Sequence, residues 1–263
     1  MPAGEDAAGL ESFNTMNRTE FAAYRNTFVT ATRAILEESG ARAGGDEVDG
    51  ALLDEAAFPA YAEANPLAAR LFWERVRRVM RHLEKRPIAA SPWAVLDFGC
   101  GGGVMLPFLA RRAARVVAAD MHLEPLRQMA ARLPLPHNVE THDLSRASLD
   151  ELEAASFHCI LALDVLEHMD DLPATLKSLR RLLAPGGEMI VSGPTENALY
   201  RLGRKLAGAR YSGDYHARDI YAIRRAMSGH WRVGVVATLF RPIPLFVIYR
   251  ARPRDAAAVP HSP

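Results

Sequence analysis

The positions richest in usable chemistry are Asp97, Gly99, Cys100, Gly101 and Gly103, which fall together in the stretch Val95-Leu96-Asp97-Phe98-Gly99-Cys100-Gly101-Gly102-Gly103. The apolar run Trp93 to Leu96 reads as a buried strand. Asp97 stands at its end, and the glycines that follow let backbone approach a ligand closely. Spacing from Val104 to Arg112 is helical, so the glycines make a strand-to-helix turn whose free N–H groups face the crevice above a sheet. A dinucleotide fingerprint needs glycine at its first, third and sixth positions. Counted from Gly99 the sixth position is Val104, and counted from Gly101 it is Leu106. No Lys-Ser or Lys-Thr pair follows, which excludes a P-loop as well. An acid opening a turn without the pyrophosphate signature suits a ligand that carries an ammonium and hydroxyls.

Further acids recur at matching places. Val116 to Ala119 reads as a second buried strand ending in Asp120, about 20 residues past the first glycine, where a carboxylate can accept from both ribose hydroxyls. The ordinary alternative for Asp120 is a cap for the helix that begins near His122. A third short strand, Asn138 to Thr141, delivers His142, Asp143 and Leu144 into a loop rich in capping residues, including Ser145 and Ser148. The fourth strand, Phe157 to Leu163, leads into Asp164-Val165-Leu166-Glu167-His168.

Taken together, Asp97, Gly99, Gly101 and Gly103 resemble the first motif of the class I S-adenosylmethionine-dependent methyltransferases, in which a strand ends in an acid and continues as Gly-x-Gly-x-Gly. The resemblance implies S-adenosyl-L-methionine as cofactor, with Asp120 clamping the ribose, Asp143 meeting the adenine amino group and a neighbouring backbone N–H serving a ring nitrogen. It extends the cofactor contacts to Cys100, Met121, Leu144 and Leu163. The Asp-Val-Leu-Glu-His run resembles the small-molecule branch, in the group that includes quinone-biosynthesis O-methyltransferases. An adenine N6 enzyme would show Asn or Asp followed by Pro-Pro and an aromatic residue here, and none is present. The implied fold is α/β, Rossmann-like: a mostly parallel seven-stranded sheet with an antiparallel last strand, helices on both faces and an N-terminal helical extension.

For a hydroxyl acceptor the chemistry asks for alignment, exclusion of water and a base. His168 is the first candidate base, because it follows the C-terminal end of the fourth strand, where open α/β sheets place their ligands. Packing or capping of the next helix is the equal alternative. His216 is the second candidate, with Asp219 after it as a helix cap that would make the histidine structural. The other histidines form no HxxxH pair or carboxylate constellation, so no metal is expected.

The elements that must position these groups alternate strand and helix from about residue 91 onward. Helices are expected near Val104 to Arg112, Leu123 to Leu133, Leu149 to Ala154 and Leu172 to Leu183. Ala184-Pro185-Gly186-Gly187 is a stop-and-turn signal before a fifth strand, Glu188 to Ser192. Apolar runs Trp231 to Phe240 and Leu245 to Ala251 are joined so tightly that only an antiparallel pair is allowed. Upstream, Phe21, Tyr24, Phe28, Ala31 and Ile35 form a helical stripe ending near Gly40, a short helix is expected at Ala51 to Tyr61, and Pro66 to Lys85 is strongly helical. The expected division is residues 1–86 as a helical extension or lid, 87–255 as the cofactor-binding domain with an insertion at 193–229, and 256–263 as a disordered tail. Within the insertion, 198–210 places Leu199, Leu202 and Leu206 opposite Arg201, Arg204, Lys205 and Arg210. Such a basic amphipathic helix can lie on anionic lipid, although docking on its own core is the commoner outcome.

Composition narrows the class. The chain has 263 residues, a net charge of +1 and two cysteines, which argues against nucleic acid as a partner and against a disulfide framework or zinc cluster. No apolar run nears the ~18 residues of a membrane span, and Glu5 and Asp6 are unlike a signal-peptide start, so a cytoplasmic protein is expected. The leading expectation is an enzyme that methylates a small-molecule acceptor at a hydroxyl oxygen. The alternatives are a non-catalytic adenosyl-ligand-binding regulatory module and, more weakly, an NAD(P)-dependent oxidoreductase. Acceptor identity and oligomeric state are left open.

Overall fold

The protein is described by a computed structural model that covers residues 16–42, 58–62, 65–85, 93–197, 218–240 and 242–254. Three helices come first: α1 (Arg18–Arg42), the single turn α2 (Phe58–Tyr61) and α3 (Pro66–Glu84). Then β1 (Ala94–Phe98), α4 (Leu106–Ala110), β2 (Arg115–Asp120), α5 (Glu124–Ala130) and β3 (Val139–Asp143) follow in alternation. The second half runs β4 (Phe157–Leu163), α6 (Leu172–Leu182), β5 (Leu183–Pro194), α7 (Ile220–Met227), β6 (Trp231–Leu239) and β7 (Phe246–Pro253).

The seven strands form one sheet in the order β3-β2-β1-β4-β5-β7-β6. Strands β1 to β5 pair in parallel, and β7 lies antiparallel between β5 and β6. From β1 the chain builds outward to β2 and β3, then returns to place β4 on the other side of β1. That reversal opens a crevice above the C-terminal ends of β1 and β4, the place where such sheets hold ligands.

Alternate residues of each strand bury on opposite faces, as the period of two requires. Val95, Val116, Ala118, Cys159, Leu161 and Ile190 pack with α1, α2, α3, α4 and α5. Leu96, Phe98, Val117, Ala119, Ile160 and Val191 pack with α6 and α7. The N-terminal helices are thus a layer of the core. Helix α3 forms because Asn65 caps it, accepting from Leu67 N at 3.0 Å and Ala68 N at 3.1 Å, and because Pro66 suits its first turn. Phe72, Val76, Val79, Met80 and Leu83 line its buried side. At its far end His82 Nε2 meets the buried Glu188 carboxylate at 3.2 Å, fixing the helix against β5.

Several elements differ from their expected extents. Leu149 to Ala154 makes only a 3-10 turn over Leu149–Glu151, closed by a capping box in which Ser148 Oγ accepts from Asp150 N and Ser148 N donates to Glu151. Too few apolar residues follow to extend it. The Ala184 to Gly187 turn lies inside β5 as an irregularity, since Leu183 pairs with Phe157 and Glu188 with Cys159. Helix α4 is shorter than expected, and α1 runs past Gly40 to Arg42. Among the described residues no helix is long and apolar enough to cross a membrane. The basic stretch 198–210, the first turn expected at 51–57 and the tail at 256–263 lie outside the described residues.

Candidate active site

The glycine turn leaves β1 directly after Asp97 and Phe98. Gly99 and Cys100 donate their N–H groups to Ala119 O at 2.8 and 3.3 Å, which ties the turn to the end of β2. Gly99 has φ +74°, and a Cβ there would come within 2.5 Å of Val165 Cγ2. Any side chain at that position is therefore both strained and blocked. Gly102 is needed for a different reason: a Cβ on it would lie 2.5 Å from Phe58 Cε1 and 3.3 Å from Tyr61 Cε2. Helix α2 rests on the turn itself. Sequence reasoning singled out Gly99, Gly101 and Gly103 and passed over Gly102, whose constraint comes from a helix about 40 residues upstream.

The structure brings Asp97, Asp120 and Asp143 to neighbouring strand ends, with Asp120 and Asp143 in register across β2 and β3. Asp120 Oδ2 accepts from Gly101 N at 2.8 Å, and its Oδ1 accepts from His122 N at 3.0 Å. One carboxylate closes the glycine turn and starts the next segment together. Asp143 Oδ1 accepts from Ser145 N at 3.0 Å and Ser145 Oγ at 2.6 Å, and these bonds hold its carboxyl below the usual range. The Leu144 N–H is donated to Asp120 O at 2.9 Å, so this group fastens the ends of β2 and β3. Met121 projects into solvent at the rim, and Leu163 is partly buried against the core face that holds β1.

Asp97 differs from the other two acids. It is only 4% exposed, and burial, reinforced by the nearby charge of Asp120, pushes its pKa up to about 7. Burial followed by the charges of Asp97 and Asp120 also drives the Cys100 thiol well up, leaving it neutral and unreactive. Tyr61, itself 4% exposed, stands close enough to Asp97 and Asp120 to feel both, and burial keeps its phenol protonated. Its ring stacks with Phe58 at 5.6 Å and packs on Phe72 at 4.4 Å.

On the other side of the crevice, β4 is followed directly by Asp164, which has the left-handed φ of +55°. Asp164 N donates to Ser192 O at 3.0 Å, and Asp164 Oδ1 accepts from Ser192 Oγ at 2.8 Å. Its other oxygen pairs with the guanidinium of Arg75. A 3-10 turn, Leu166–His168, carries the next two groups in opposite directions. Glu167 is fully buried, and burial raises its pKa to about 7 against the opposing influence of Arg75. His168 is exposed, and its backbone N–H is donated to Val165 O at 3.1 Å. His216 lies outside the described residues. Arg75 and Tyr61 lie outside every motif read from the sequence, and Glu167 was named only as part of the Asp-Val-Leu-Glu-His run, with no role of its own. For Arg75 a signal existed: it is one charge on an otherwise apolar helix face, three residues after Phe72 and four before Val79. Among the described residues no three His, Cys, Asp or Glu side chains are grouped to hold a metal ion.

The ubiquinone biosynthesis O-methyltransferase of Hahella chejuensis is 34% identical over 150 residues, covering 54% of this chain and 56% of that protein. Its counterpart in Psychrobacter cryohalolentis is 31% identical over 161 residues, covering 59% and 62%. The chain thus spans less than two thirds of these relatives. Among solved structures, the CMeT domain of the citrinin polyketide synthase superposes with a TM-score of 0.55 at 16% identity over 74% of this chain and 55% of that one, a likeness of fold alone. A family described as methyltransferase domain matches residues 72–240, which includes the glycine turn, all three acids and the Asp164 to His168 run, and the chain therefore belongs to the class I S-adenosylmethionine-dependent methyltransferases.

Proposed function

We propose that the acceptor is a small molecule methylated at a hydroxyl oxygen, on an electron-rich ring of the kind a quinone precursor carries. The observation that carries the cofactor half of this reading is the set of three differently prepared carboxylates at neighbouring strand ends: Asp97 buried, Asp120 anchored to the glycine turn, Asp143 held ionised by Ser145. These fit the cofactor's three polar ends. Asp97 would take the ammonium, Asp120 the ribose hydroxyls and Asp143 the adenine amino group, while Gly99 to Gly103 let backbone pass close beside the chain between them. Cys100, Met121, Leu144 and Leu163 would line the same space.

Bound there, S-adenosylmethionine supplies a methyl group already attached to a good leaving group. What the protein must add is alignment, exclusion of water and removal of one proton. His168 is the proposed base, a reading supported by its exposed position in the 3-10 turn that follows the C-terminal end of β4. The two relatives above, whose printed names place them in ubiquinone biosynthesis, support a hydroxylated ring as acceptor. The role of α1 to α3 as cover for the site, in addition to their place in the core, belongs to the same proposal and is supported by α2 resting on Gly102.

The test is transfer of a labelled methyl group from S-adenosylmethionine to catechol and to 3,4-dihydroxybenzoate, beside an aniline of similar size. Label on the diol oxygens supports the proposal. Label on the amine alone, or tight binding of S-adenosylhomocysteine with no transfer to any acceptor in a cell extract, overturns it.

A further inference from the structure

Arg75 lies in the middle of α3, outside every motif that defines the cofactor pocket, yet it is only 7% exposed and reaches the acid at the end of β4. Its guanidinium sits over the Phe72 ring at 4.7 Å and beside the Phe246 ring at 5.7 Å. The planar cation is held between one aromatic ring of its own helix and one at the start of β7. A lysine ammonium has neither the plane to stack nor the fork of donors to hold a carboxylate in one orientation.

What Arg75 holds is a strained residue with consequences on both sides. Asp164 adopts a left-handed backbone conformation, and its carboxylate is gripped by Arg75 on one oxygen and Ser192 Oγ on the other. The next residue, Val165, fills the space beside Gly99, where a Cβ would meet it at 2.5 Å. Val165 O in turn accepts from His168 N at 3.1 Å and begins the 3-10 turn. The conformation of one aspartate thus places the glycine turn's neighbour and the Glu167-His168 turn together.

We propose that Arg75 is a positioning residue for methyl transfer, which fixes Asp164 and through it the Val165 contact that shapes the cofactor turn. This rests on the cofactor reading given above. Coupling runs from α3 through the ion pair to β4, and then to Gly99 across a packed contact.

The experiment measures S-adenosylhomocysteine affinity by calorimetry for Arg75→Met, Arg75→Lys, Asp164→Asn and the Arg75→Met/Asp164→Asn double variant of the full chain. Hydrogen exchange is followed over 164–168 and over 66–84 in the same samples. Each single substitution is expected to weaken binding by about fivefold or more, and the double variant no further than the weaker single, because all three break the same link. Lysine should restore only part of the loss. Exchange should quicken at 164–168 and stay as in wild type along α3, a pattern that general loosening of the helix would not give. If Arg75→Met does not fold, Asp164→Asn decides, since it removes only the charge that Arg75 grips. Wild-type affinity in folded Arg75→Met or in Asp164→Asn overturns the proposal, as do additive losses in the double variant. A wild-type protein that binds no S-adenosylhomocysteine overturns the cofactor reading itself, a distinct result.

Discussion

Asp97 is where a single side chain has the largest measurable consequence. Its carboxyl titrates near pH 7 because burial disfavours the charged form and Asp120 adds like charge, so the folded protein binds a proton there that the unfolded chain has released by about pH 4. The raised value means that stability from this group is fully present below the unfolded pKa and is lost as pH rises through about 7. A cationic ligand reverses the balance, since an ammonium beside Asp97 favours the ionised form. Two outcomes are expected. Affinity for S-adenosylhomocysteine should strengthen about tenfold between pH 6 and pH 8, with proton release visible as a buffer-dependent heat. Asp97→Asn should flatten that dependence, weaken binding and raise the ligand-free melting temperature at pH 8. A variant that melts lower at pH 8 would show that Asp97 is stabilised by a partner. His168→Ala makes the complementary case: turnover on a diol acceptor should fall by about 10²-fold or more while S-adenosylhomocysteine affinity stays within a factor of about three. Equal turnover would return His168 to a surface role.

At the scale of elements, the glycine turn and α3 can be separated by substitution. Gly99→Ala places a Cβ at φ +74° and against Val165, and should cost about 2 kcal/mol or more in urea unfolding while abolishing cofactor binding. Asn65→Ala removes two cap hydrogen bonds from α3 and should cost about 1 kcal/mol with binding unchanged. If both substitutions cost stability and binding together, the turn is not an independent device. The contrast also explains what was legible in the sequence. Strands β1, β2 and β4 and their terminal acids could be read because each is a local signal, an apolar run with a polar stop. The antiparallel pairing of β6 with β7 could be read because the linking residues are few. Arg75 on Asp164, Phe58 on Gly102 and the burial that singles out Asp97 are contacts between segments far apart in sequence, and periodicity carries no information about which distant surface a helix will meet. The shortening of Leu149 to Ala154 to a capped turn was illegible for a different reason: the capping box was present, but the packing surface that would extend the helix was not.

For the whole molecule, the question is whether the cofactor-binding sheet is complete without the helices before it. The family match begins at residue 72, inside α3, and the sheet face that carries Val95, Val116, Ala118 and Leu161 is covered by α1 and α3 together with α4 and α5. Phe72, Val76, Val79, Met80 and Leu83 are buried along α3. At roughly 1.5–3 kcal/mol each, those five side chains contribute about 7–15 kcal/mol. The entropy of ordering the helix offsets part of that gross term, which is still large against a domain's net stability of about 5–15 kcal/mol. The helix is also pinned at both ends of the sheet, by Arg75 on Asp164 above and His82 on Glu188 below. A chain beginning at residue 87 should therefore lack a cooperative urea transition and show exposed apolar surface, even though it keeps the glycine turn and all three acids. Adding back residues 65–86 should restore most of the transition, and adding α1 the remainder through Tyr24 and Phe28. A soluble, cooperatively unfolding chain from residue 87 that still binds S-adenosylhomocysteine would show that the upstream helices only cover a finished domain, and that the face they pack on can tolerate water.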